Sequence, residues 1–145
     1  MLTTSKTAQN LKPVVLTVAI TLAIWLGSKW VFNDWFDNPF KYPAKAASLS
    51  ATVLFCWCVV LSTRNRLLER YFRGLDKVYQ VHKRLGKAAF WLILLHPLFL
   101  ALDRLPDLAA FLHRLWFIAP QGDRYLLGHN LGVGALLLLV LLLIP

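Results

Sequence analysis

The chain has 145 residues, of which 58% are hydrophobic and 16% charged, with a mean hydropathy of +0.56. A soluble domain carries about a quarter charged residues, so an ordinary water-soluble domain is excluded and an all-α integral membrane bundle is expected. The formal net charge of +9 would suggest nucleic acid in a soluble protein, but here the basic residues fall between apolar runs, so no nucleic-acid partner is expected.

Four apolar segments follow in chain order, at about 13–32, 43–61, 77–102 and 126–145. The third is most apolar from Ala88 to Leu102 and extends back through His82. A helix crosses the hydrocarbon layer with about 20 apolar residues. None of the four shows strand alternation, and only helices or closed barrels span lipid, which predicts about four transmembrane helices. Lys6 and Lys12 precede the first segment, which is long for a cleaved signal peptide and lacks a small-residue cleavage site after it. It reads as a retained anchor. Residues 1–12 are then a short N-terminal tail and 13–145 one membrane domain in the lipid bilayer.

The loops set an orientation. Residues 63–87 hold eight basic side chains (Arg64, Arg66, Arg70, Arg73, Lys77, Lys83, Arg84 and Lys87) against Glu69 and Asp76, a net +6. The stretches 33–45 and 103–125 each balance to zero. Basic loops favour the cytoplasmic side, which predicts a cytoplasmic N-terminus, a cytoplasmic 63–87 loop and two neutral loops outside.

The basic loop is patterned in turn. Leu68, Phe72, Leu75 and Tyr79 share one helical face, as in a helix lying at the headgroup level. Gly74 interrupts it, and Asp76 is placed to cap a new helix beginning near Lys77. This surface suits either anionic lipid or a cytosolic domain. In the second neutral loop, Leu108, Phe111, Leu112, Leu115 and Trp116 suit a short interfacial helix, followed by a turn at Pro120, Gly122 and Asp123.

Cys56 and Cys58 flank Trp57 inside an apolar run. Without a second cluster of ligands they read as buried structural thiols and not as a metal pair. There is no G-x-G-x-x-G, no P-loop and no G-x-S-x-G. Gly128, Gly132 and Gly134 in the last segment suit close helix packing better than a phosphate cradle.

His82 and His96 carry the chemistry. They are 14 residues apart, just under four helical turns, so they project from nearly one face, separated by about 21 Å along the axis. Gly86, Ala89 and Ile93 lie between them on that face, and the small residues would let a planar group approach the backbone, although they would equally allow helices to pack closely. Neutral imidazole ligates iron without carrying charge into lipid, and two haems stacked along the membrane normal could pass electrons between leaflets. Lys83 and Arg84 beside His82 could meet haem propionates. An interfacial polar anchor also accounts for His82, but less well for His96, which is deep in an apolar run where ionisable residues are functional by default. Pro97 removes a backbone donor beside His96 and is expected to kink the helix there. His113 reads as interfacial. His129 opens the last segment and suits a propionate partner or a packed polar residue, with ligation of iron a third option.

The stretch GLDKVYQVHKRLG from Gly74 to Gly86, followed by AAFWLILLHPLFLAL through Leu102, resembles the ferric reductase-like transmembrane domain shared by ferric reductases and NADPH oxidases. The bacterial members, with their GLD-x-x-Y-x-x-H-x-x-L-G stretch, are the most similar, and GHNLG at 128–132 also resembles that subgroup. The resemblance covers about 45–145 and is most specific at 74–102. It implies a multi-pass protein of the bacterial inner membrane that passes electrons from cytosolic NAD(P)H through FAD to two b-type haems and on to ferric iron or dioxygen outside. By motif, His82 would ligate the inner haem and His96 the outer one. The resemblance also implies partner histidines two helices downstream, and flavin and nucleotide domains. The 145 residues contain neither, so the expectation is a fragment truncated after the fourth helix: not a complete enzyme alone, and dependent on missing helices, a flavin domain or a separate subunit. The runner-up is a cofactor-free membrane anchor or subunit. A third reading is a small haem protein whose sites form between subunits, with His129 as a ligand.

Overall fold

The computed structural model describes residues 11–102, 104–116 and 124–143, parts of the last two stretches at backbone level only. Among the described residues six helices follow one another: α1 (Lys12–Phe32), α2 (Lys41–Ser62), α3 (Arg66–Phe72), α4 (Leu75–Leu102), α5 (Leu108–Trp116) and α6 (Arg124–Leu143). No strand occurs among the described residues.

Among the described residues three helices, α1, α2 and α4, are long and apolar enough to cross a membrane. In α6 the described apolar run, Asn130–Leu141, is shorter than a full crossing. Large apolar side chains such as Ile24, Trp30, Val59 and Trp91 point outward from the three spans. In water such a surface would drive association; in a bilayer it is the lipid-facing surface.

Local chemistry sets the helix ends. Pro13 opens α1, where its missing N–H costs nothing, and Asn33 closes it with a left-handed φ of 48°. The side chain of Asn65 accepts the Leu67 N–H at 2.8 Å to start α3. Arg73 (φ 63°) and Gly74 (φ 121°) end it in a Schellman turn, the Gly74 N–H donating to Glu69 O at 2.8 Å and the Arg73 N–H to Arg70 O at 3.3 Å. The Gly74 carbonyl then accepts from Lys77 and Val78, so α4 begins at once. Asp76 is therefore not the cap: it lies inside the first turn, where its charge favours the helix dipole. The turn also divides the apolar face expected across Leu68–Tyr79. Phe72 is buried at 1% exposure and Leu68 packs beside it, while Leu75 and Tyr79, on the next helix, are exposed. Residues 108–116 do form the short helix expected there, α5, with the Asp107 carboxylate accepting the Ala110 N–H at 3.0 Å. The turn expected at 120–123 lies outside the described residues.

The core is the seam between α2 and α4, which pack most extensively. Ala44, Ala47, Ala51, Leu54, Cys58 and Leu61 are the buried residues of α2. Their steps alternate between three and four, as in a left-handed seam with a repeat of about 3.5. Val78, Val81, Leu85 and Ala89 face it from α4. Ala51 and Ala89 are fully buried, and alanine at both surfaces lets the two backbones approach. Inside lipid this packing stabilises by dispersion and by polar links more than by the hydrophobic effect. Helix α1 is tied to α2 by one such link, Trp57 Nε1–H to Thr17 Oγ1 at 2.8 Å.

Candidate functional site

The two histidines that spacing singles out both stand on α4, which runs unbroken through Pro97 to Leu102. Fourteen residues of helix place them about 21 Å apart along the axis. Both side chains are half-buried at the edge of the α2 seam.

Each imidazole is held from the same direction. His82 Nδ1 lies 3.1 Å from the carbonyl oxygen of Cys58, and His96 Nδ1 lies 2.8 Å from that of Ala44. A carbonyl oxygen can only accept, so Nδ1 carries the proton at both positions and donates it. Each Nε2 then carries the lone pair, and no described residue binds either one. Such a bond to a backbone carbonyl is what fixes the tautomer and raises the basicity of a metal-ligating histidine.

The two bonds share one geometric origin. Ala44 and Cys58 are separated on α2 by the same 14 residues that separate His82 and His96 on α4. The helices are antiparallel, so a single register satisfies both pairs. The seam residues Ala47, Ala51 and Ala89 bring the backbones close enough for an imidazole to reach across.

Between the histidines, Gly86 is half-buried, and a Cβ built on it would meet only Cys58 Sγ, at 3.9 Å. Cys58 Sγ is therefore the described side-chain atom that borders this glycine. Lys83 and Arg84 are exposed, and neither pairs with a described residue. The backbone of His129 is in α6 and that of His113 in α5, but their side chains lie outside the described residues. A Cβ on Gly128, Gly132 or Gly134 would meet nothing within 4 Å, so the close packing expected of these glycines is not made to any described residue.

Two further features were not anticipated. Cys58 is buried but Cys56 is exposed, which corrects the expectation of two buried thiols: residues two apart on a helix are rotated by about 200°, so only Cys58 falls in the seam. The second feature lies at the α1–α2 turn. Lys29 is buried, paired with Asp34 at 2.7 Å and 4.0 Å from the Phe36 ring centroid. Trp25, Trp35 and Phe36 all contact Tyr42, whose hydroxyl accepts the Phe36 N–H at 2.9 Å. The 3-4 spacing of small residues in α2 was the readable signal for the seam. The carbonyl partners have no side-chain signature.

No group of three His, Cys, Asp or Glu residues able to hold a bare metal ion occurs among the described residues. A haem makes a different demand, since the macrocycle supplies four nitrogen donors and the protein adds only axial ligands. Single, oriented imidazoles whose Nε2 atoms bond to no described residue fit that demand.

Residues 47–145 match the family model described as ferric reductase like transmembrane component. Comparison with curated proteins and with solved structures gives no match. The matched stretch takes in most of α2 and all of α4, and so both histidines.

Proposed function

Because this chain belongs to the ferric reductase-like transmembrane family, we propose that it is the membrane part of a haem-b electron-transfer oxidoreductase. Electrons would pass from a flavin and NAD(P)H source on the cytoplasmic side to an external acceptor such as ferric iron or dioxygen. The observation that carries this reading is the pair of imidazoles pinned through Nδ1 with both Nε2 lone pairs left to bind iron. Bound haem supplies one-electron exchange between ferric and ferrous iron.

The roles of the residues follow from their positions. His82, near the start of α4 and within the basic 63–87 stretch, would hold one haem, and His96, about 21 Å along the helix, the other. Lys83 and Arg84, unpaired and next to His82, meet the propionates at that surface. Gly86 admits the edge of the macrocycle. A second axial ligand for each haem comes from another helix or subunit, with His129 on α6 one candidate. FAD and NAD(P)H bind outside these membrane helices. The charge asymmetry supports a cytoplasmic N-terminus and a cytoplasmic 63–87 loop.

A reduced-minus-oxidised visible spectrum of membranes holding the full-length protein tests this reading. The parent should show b-type bands, and His82→Ala and His96→Ala should each remove a separate part of them. A parent without bands would overturn it and favour a cofactor-free anchor.

A further inference from the structure

The two histidine sites differ in one respect. His96 is held only by the backbone of Ala44. His82 is held by a residue that it also holds: its Nδ1–H donates to Cys58 O, and the Cys58 thiol donates to His82 O at 3.7 Å. Cys58 Sγ is also the nearest atom to a Cβ built on Gly86. The sulfur therefore fills the corner between His82 and the glycine.

The bond sets the thiol apart from the Ser and Thr hydroxyls of these helices. The hydroxyls of Thr17, Thr21, Ser28, Thr52 and Ser62 all donate to a carbonyl three or four residues back on their own helix. The thiol is longer and a weaker donor, and it does not turn back in this way. It reaches α4 instead.

We propose that Cys58 is the positioning residue of the His82 imidazole, making the two haem sites chemically unequal. This rests on the haem reading above. The reciprocal pair holds α2 and α4 in register at His82, where the Nδ1–H bond is 3.1 Å against 2.8 Å at His96, and keeps that longer bond from opening further. An Nδ1–H bond that stays made keeps Nε2 electron-rich, which would stabilise ferric iron. Removing the thiol lengthens that bond and leaves the Ala44–His96 pair, four helical turns away, untouched.

The test is a potentiometric titration of the b-type bands in membranes containing full-length protein, with His82→Ala and His96→Ala assigning each component. In Cys58→Ala the His82-linked component should rise by about 59 mV, a tenfold change in a one-electron equilibrium, and the His96-linked component should stay in place. Cys58→Ser should shift like Cys58→Ala, because a serine hydroxyl turns back to its own helix. Its near-equal size also keeps the test available if the alanine variant fails to accumulate. Cys56→Ala, at an exposed thiol, should match the parent. Unchanged potentials in both Cys58 variants, or equal movement of both components, would overturn the inference while leaving the haem reading intact. A parent without b-type bands fails at the first step and overturns the haem reading and this inference together.

Discussion

His96 donates from Nδ1 to the carbonyl oxygen of Ala44 at 2.8 Å, joining two residues 52 apart in sequence across the seam between antiparallel helices. The bond links a residue of ligand chemistry to one with no side-chain functionality. It exists because α2 is lined with alanine where it meets α4.

Ala51 is fully buried in the seam. Ala51→Leu should cost about 1–3 kcal/mol through overpacking and push α2 away from α4. Both histidines lose their carbonyl partners together, so both b-type components should weaken in one variant. Thermal melting of the detergent-solubilised protein, followed at the haem bands, measures both effects.

The Trp57–Thr17 bond ties α1 to the pair that carries the site. Hydrogen bonds inside membranes average about 0.6 kcal/mol and reach about 1.7. A double-mutant cycle of Trp57→Phe and Thr17→Val should give a coupling energy in that range, and the haem spectrum should stay as in the parent. A coupling of zero would show that α1 is held by packing alone.

Gly74 holds a φ of 121° at the junction of α3 and α4. Gly74→Ala meets no neighbour, so its cost is backbone strain of about 1–3 kcal/mol. Limited proteolysis of the 63–87 loop should accelerate. An unchanged cleavage rate would show that the turn relaxes without penalty.

Lys29 is buried against Asp34 and the Phe36 ring, although Asp34 itself is 75% exposed. Solvent screening reduces the ion pair to at most about 1 kcal/mol, and the ring contact adds about 0.5–2. Lys29→Met keeps the apolar stem and loses both terms. The expected outcome is a melting temperature lowered by a few degrees, only weakly dependent on salt.

A reporter fused after Arg73 should read as cytoplasmic, and one inserted after Asp37 as external. These fusions check the orientation that the net charge of +6 over residues 63–87 implies.

Much of the architecture was legible without coordinates because its causes are local. Apolar runs, charged loops and the Arg73–Gly74 break act through composition and short-range geometry. Helix α5 was readable for the same reason. The division of the Leu68–Tyr79 face was not, because a Schellman turn re-aims the chain between two stretches that share one helical period. Asp76 was read as a cap on residue preference alone, whereas the Gly74 carbonyl already supplied the start. Cys56 and Cys58 looked equivalent in an apolar run until the seam gave them different neighbours.

The sequence by itself determined that this is a helical membrane protein with two histidines 14 residues apart on one helical face, since hydropathy and the 3.6-residue period need no partner. Only the tertiary structure decided how those histidines are held. Antiparallel packing of α2 on α4 brings two backbone carbonyls, also 14 residues apart, to the two Nδ1 atoms. A backbone acceptor is the same at every position, so no residue type could announce it in advance.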